Sequence, residues 1–251
     1  MSPIMNIPVS SPLSSIVIAL AMLASLAGCA RQAAPVVPPP APIISDDARL
    51  PEMTERKGAY FANKIATFRE QNPTVPANSV VFLGDSITDR FDVATAFPGQ
   101  PVVNRGIGGD SLDGLAARIG LSVGVLQPRT VFVMIGINDI VFTDASIENM
   151  LERYAAILDS PELADPRRAV YVVSVLPVRT PDPTHNMKVL ALNNGLRRVA
   201  AERNRPYVDL WNLLRDDRNA LREELTTDGI HLNAAGYAII QARLAPLVTR
   251  P

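Results

Sequence analysis

The chain has two histidines, His185 and His231, so chemistry that needs a neutral imidazole to accept a proton has two candidates. His231 closes Asp228-Gly229-Ile230-His231, where a carboxylate three positions earlier is near enough in a turn to hold one ring nitrogen. A carboxylate that orients an imidazole is the arrangement that activates a serine. His185 has only Asp182 nearby, in the proline-rich stretch Thr180-Pro-Asp-Pro-Thr-His185-Asn186, and is expected to be a surface-loop histidine outside the catalytic set. Three other clusters combine small and polar residues: Gly84-Asp85-Ser86-Ile87, Asn104-Arg105-Gly106-Ile107-Gly108-Gly109-Asp110, and Gly136-Ile137-Asn138-Asp139. Taken singly they are weak signals. Ser86 alone would pass for a helix N-cap and Asn138 for a turn residue. Asp85 and Asp139 are expected to be structural, their carboxylates accepting backbone N–H groups of the loops.

Each cluster follows a short β-branched run. The runs at 79–83, 101–104, 130–135, 169–176 and 206–210 predict five strands. The longer ones are nearly continuous in apolar character, which suits strands buried on both faces of a parallel sheet. Helical patterns fall between them at 54–71, 112–126, 146–158, 187–204 and 234–248. Strand alternating with helix implies right-handed βαβ units and an open sheet covered on both sides. In such sheets ligands bind at the carboxyl ends of the strands, where all these polar clusters lie.

The four blocks, in this order, resemble the SGNH hydrolases, also known as GDSL-type esterases and lipases. The resemblance runs from about Ser79 to the closing helix and includes His231-Leu-Asn-Ala-Ala-Gly-Tyr237. It implies a flavodoxin-like three-layer α/β/α fold with a five-stranded parallel sheet. It also implies a nucleophile at Ser86, a base at His231 held by Asp228, and an oxyanion hole from the Ser86 N–H, the Gly109 N–H and the Asn138 side-chain amide. Gly-Ile-Gly-Gly-Asp110 in a compact chain is similar to the platelet-activating-factor acetylhydrolase branch, which implies short acyl groups. Small or medium acyl esters are the expected substrates, among them acylated sugars, lysophospholipids or thioesters. The alternatives are acyl transfer to a glycan and a lipoprotein that binds glycan without turnover; the complete set of charge-handling residues argues against the latter.

Other chemistries find less support. Gly106-Ile-Gly108-Gly-Asp-Ser111 lacks the third glycine of a dinucleotide fingerprint, and no Gly-Lys-Ser/Thr phosphate loop occurs. Thr88 stands where the G-x-S-x-G elbow would need glycine. Asp228 and His231 have no third histidine or cysteine to complete a metal site, so neither metal nor cofactor is expected. With 24 basic against 25 acidic residues and net charge -1, no basic field favours nucleic acid.

The 251 residues suit one sizeable core plus tails. Residues 16–27 form an apolar run of export-signal length, although no Lys or Arg precedes it. It ends in Leu26-Ala27-Gly28-Cys29, which resembles a bacterial lipobox with Cys29 as the lipidation site. Cys29 is the only cysteine, so no intramolecular disulfide can form. The expected organisation is a signal peptide over 1–28, a proline-rich linker over 29–49 and a hydrolase domain over 50–251. An envelope location with a membrane anchor through the N-terminal lipid follows. Ala30 after the cysteine implies the outer membrane, facing the periplasm, in a Gram-negative host.

Overall fold

The structure is a computed structural model and describes residues 49–143 and 145–249. The expected signal peptide, Cys29 and all of the linker but Arg49 lie outside the described residues. Strand β1 (Val80–Gly84) is buried along its whole length, as its unbroken apolar run predicts. It pairs in parallel with β2 (Val102–Gly106) on one side and β3 (Thr130–Met134) on the other. β4 (Ala169–Val173) pairs with β3 and β5 (Tyr207–Val208) with β4, giving a parallel sheet of order β2-β1-β3-β4-β5. This is the flavodoxin-like order, and its switch point lies between β1 and β3.

Helices connect the strands. α1 (Leu50–Lys57) and α2 (Ala59–Gln71) precede β1; α3 (Ser86–Asp89) and α4 (Val93–Ala96) lead to β2. α5 (Leu112–Ala117) and α6 (Ile119–Ser122) lead to β3; α7 (Ile137–Phe142), α8 (Ile147–Leu158) and α9 (Pro161–Ala164) lead to β4. α10 (Thr184–Glu202) precedes β5, and α11 (Trp211–Leu214) and α12 (Ala234–Val248) follow it.

The period of two along each strand divides the interior. Val81, Leu83, Val131, Val133, Val170 and Val172 face one core with Leu115, Met150, Tyr154 and Leu192 from α5, α8 and α10. Val80, Phe82, Phe132, Tyr171 and Val173 face the other, against Leu214, Ile240, Leu244 and Val248. A third, smaller cluster seats α1 and α2 through Leu50, Met53, Phe61, Ile65 and Phe68 on Ile107 and Ala117.

Three departures from the expected elements bear on how the site is positioned. The helix expected over 54–71 is two helices, broken at Gly58 with φ 80°, a left-handed conformation that glycine adopts without steric cost. The helix expected over 112–126 breaks at Arg118, whose side chain turns inward. The fourth strand ends at Val173 instead of Leu176, because β5 offers only two residues to pair with. Past that point one backbone bond remains, from the Ser174 N–H to the Val208 carbonyl at 3.0 Å, and side chains then take over. Asn193 donates to the Val175 carbonyl at 2.9 Å and accepts its N–H at 2.8 Å, and Ser174 Oγ accepts from Leu210 and Trp211.

Candidate active site

The loops after β1, β2 and β3 and the segment before α12 meet at the carboxyl edge of the sheet. Asp85 ends the first strand turn and caps α3, its Oδ1 accepting the Ile87 N–H at 3.0 Å. The cap is therefore Asp85 and not Ser86, which sits at the first helical position with its N–H outside the helix's own bonding. The Asp85 side chain lies inside the protein, and burial pushes its carboxyl up to about 7, against the lowering by the Ile87 N–H.

Ser86 Oγ is 3.0 Å from His231 Nε2, and His231 Nδ1 is 2.6 Å from Asp228 Oδ2. With the Nδ1 hydrogen given to the carboxylate, Nε2 is free to accept the serine proton. Asp228 is fixed twice more, because its Oδ1 accepts the N–H of Ile230 at 3.0 Å and of His231 at 2.8 Å. Partial burial raises this carboxyl, and the hydrogen bonds from His231 and Ile230 outweigh that and hold it near 2. Arg90 stands 3.9 Å from it. The turn itself is pinned by Thr226, whose hydroxyl donates to the His231 carbonyl at 2.7 Å and accepts from the Gly229 N–H at 2.9 Å. From α12, the Tyr237 hydroxyl donates to the Ile87 carbonyl at 2.8 Å and Gln241 to the Ala96 carbonyl at 2.7 Å, tying the last element to the first strand's loop.

Gly109 has φ 72°, and its N–H stands apart from its neighbours'. Gly108 donates to Asp89 at 2.9 Å, Asp110 to the Ile107 carbonyl at 3.1 Å, and Ser111 to the Asp110 carboxylate at 2.9 Å. Among the described residues the Gly109 N–H has no protein acceptor. Asn138, in the first turn of α7, spends one amide hydrogen on the Asp110 carbonyl at 2.7 Å and keeps the other. Asp139 behaves as the sequence implies, its carboxylate accepting the Leu112 N–H; burial pushes it up to about 6.

His185 lies in the first turn of α10, not in a surface loop, and its side chain is only 15% exposed. Its Nδ1 is 2.9 Å from the Thr180 hydroxyl and its Nε2 is 3.5 Å from Asp182. Asp182 also accepts the Thr184 N–H at 2.8 Å, which starts the helix three residues before the expected Met187.

Two features around the site leave little local signal in the sequence. Arg118 and Asp110, both side chains 0% exposed, form an ion pair at 2.8 Å. Arg118 also donates to the carbonyls of Gly84 and Arg105 at 2.9 Å and to Ser122 Oγ at 3.0 Å, joining the ends of β1 and β2. The only sequence clue is an arginine inside an otherwise apolar helical stretch. The second feature is a cleft of about 480 Å³ beside Gly109 and Asn138, lined by Arg56, Lys57, Asp113, Arg153 and the exposed Phe142 among others. A far smaller recess, about 10 Å³, is lined by Ile87, Ile137, Val178 and Ile230 on the side of the serine and histidine.

The sequence model of the GDSL-like lipase/acylhydrolase family matches residues 82–239. A GDSL-like lipase from Bacteroides thetaiotaomicron superposes with TM-score 0.66 at 25% identity, over 75% of this chain and 98% of that one. A Streptococcus pneumonia structure named for platelet activating factor does so with TM-score 0.66 at 25% identity, over 75% and 92%. An N-acylneuraminate cytidylyltransferase of Escherichia coli is 27% identical over 187 residues, 74% of this chain and 43% of that protein. The chain thus spans under half the length of this curated relative.

Proposed function

Because this chain belongs to the GDSL-like lipase/acylhydrolase family, we propose that it hydrolyses short and medium acyl esters with Ser86 as nucleophile and the Asp228–His231 pair as its base. The observation that carries this is the continuous hydrogen-bonded line from Ser86 Oγ through His231 to Asp228. Ser86 Oγ attacks the ester carbonyl as its proton passes to His231 Nε2, and Asp228 steadies the imidazolium. The oxyanion is met by the N–H groups of Ser86 and Gly109 and the spare Asn138 hydrogen, each such donor typically worth roughly 10²–10³ in rate. Collapse expels the alcohol, which takes the proton from His231. Water then repeats the sequence on the acyl-serine, with His231 again accepting and returning the proton.

One feature supports a polar alcohol as the partner of the acyl group. The 480 Å³ cleft beside Gly109 and Asn138 is lined largely by charged and amide side chains suited to a hydroxylated group. Cytidylyl transfer is not part of the proposal, since the chain matches only 43% of that relative's length at 27% identity. The test is release of p-nitrophenol from its acetyl ester by the wild type and by Ser86→Ala. The variant is expected to fold normally and lose several orders of magnitude, leaving about 10³–10⁴ over water. Near wild-type turnover by folded Ser86→Ala would refute the assignment.

The proposed setting is the cell envelope, with a lipid on Cys29 and, in a Gram-negative host, the outer membrane facing the periplasm. It rests on Leu26-Ala27-Gly28-Cys29 and the proline-rich stretch after it. None of the helices among the described residues is long and apolar enough to cross a membrane. Mass spectrometry of the mature N-terminus decides the matter, and an unmodified N-terminus elsewhere than Cys29 refutes it.

A further inference from the structure

α1 and α2 precede the residues that the family's sequence model matches, yet both reach the loop that carries Gly109. Lys57 ends α1, and its ammonium donates to the Gly109 carbonyl at 3.1 Å and to Ser111 Oγ at 3.0 Å, with the Asp110 carboxylate 3.8 Å away. Beyond the break at Gly58, Tyr60 and Lys64 of α2 donate to the two oxygens of Asp89, at 2.5 and 2.6 Å. That same carboxylate accepts the Gly108 N–H. The peptide groups on both sides of the free Gly109 N–H are therefore held from outside the loop. The chain turn at Gly58 is what lets two consecutive helices grip at two points.

The loop has need of this. Its run Gly106-Ile107-Gly108-Gly109 has three glycines in four residues, and glycine brings no side chain to restrict its own backbone. A donor lowers the barrier only if it is in place before the charge develops.

We propose that Lys57 is a positioning residue for the oxyanion loop, fixing the peptide that follows Gly109 through the Gly109 carbonyl so that the free N–H of the peptide before it stays aimed at the reacting carbonyl oxygen. Tyr60, Lys64 and Asp89 are the second point of the same brace. The inference rests on the reading of Gly109 as an oxyanion donor. Lys57 also lines the 480 Å³ cleft, so the competing role is direct contact with substrate. Kinetics separate the two, because a loosened donor lowers kcat whereas a lost ground-state contact raises KM.

The experiment uses the full chain with Lys57→Met, which keeps the aliphatic stem, and Lys57→Arg, which keeps the charge. In Lys57→Met, kcat on p-nitrophenyl acetate is expected to fall about 10-fold, a fraction of one donor's worth, with KM within about two-fold of wild type. Lys57→Arg should recover most of the loss. Amide hydrogen exchange over Gly108–Ser111 should quicken in Lys57→Met and stay near wild type in Lys57→Arg, and this readout does not need turnover. A raised KM at unchanged kcat, or unchanged exchange in Lys57→Met, overturns the proposal. A wild type that releases no p-nitrophenol while exchange responds as expected removes the hydrolase reading and leaves the brace standing.

Discussion

Replacing Arg118 with methionine tests whether the ion pair under the site organises the two strand ends above it. The substitution keeps much of the buried aliphatic volume and deletes the guanidinium, which donates to Asp110, Gly84, Arg105 and Ser122. Asp110 is then left as a buried carboxylate whose remaining cation is Lys57, 3.8 Å away. Removing one partner of a buried pair costs about 3–5 kcal/mol, and Lys57 places this case toward the lower end, about 3 kcal/mol. A domain with a total stability of about 5–15 kcal/mol survives that loss, but for a protein of this size it lowers Tm by about 6–12 °C. Urea unfolding followed by circular dichroism should show a lower midpoint at unchanged slope. The double variant Asp110→Asn/Arg118→Met should regain about half of the loss or more, because no charge is left without a partner. A loss under about 1 kcal/mol for the single variant, or no recovery in the double, would refute the reasoning.

His231→Ala should cost nearly as much as Ser86→Ala in single-turnover rate, since the two act as one unit, whereas His185→Ala should leave the rate within a few-fold; a reversal of the two histidines would relocate the site to the loop before α10. In wild type, Asp228, held near 2, should still be a carboxylate at about pH 4, so a pH–rate profile should show no loss of kcat/KM from its protonation above that pH. Asp228→Asn should remove the orienting charge and lower kcat by about 10⁴, and a loss under ten-fold would show that Asp228 does not hold the tautomer. Asp85→Asn keeps the cap acceptor for the Ile87 N–H and removes a carboxyl raised to about 7. Folding holds that proton while the unfolded chain releases it above about 4, so wild-type stability relative to the variant should decline from about pH 4 to about pH 7. At about 1.4 kcal/mol per unit the decline is about 4 kcal/mol, and parallel stability curves across that range would contradict it.

The parts legible in the sequence are those governed by local composition. β-branched runs gave the strands, and α12 spans the expected residues, because its Asn233 cap and apolar content are contiguous. The candidate residues Ser86, Asp228 and His231, which the structure brings within hydrogen-bonding distance of one another, stand out in the sequence because small and polar residues cluster where loops leave a sheet. What was missed depends on tertiary contacts. The end of β4 is decided by how few residues β5 supplies, and the interruption at Arg118 by acceptors on two separate strands. His185 reads as exposed in one dimension; only the packing of Thr180 and Asp182 around it encloses the ring.

The hydrogen bond between His231 and Ser86 joins residues 145 positions apart. One of its ends lies in the first strand's loop and the other just before the last helix. Closing so long a stretch of chain carries a loop entropy of a few kcal/mol, which the docking of α12 has to offset. On the proposed mechanism, turnover is therefore a late event in the life of each molecule. A chain still emerging from the ribosome, or one clipped before Asp228, would lack the proposed base however well its early strands have formed. During refolding, recovered activity should lag every spectroscopic signal of the sheet, so that the rate of ester cleavage counts completed molecules and nothing less.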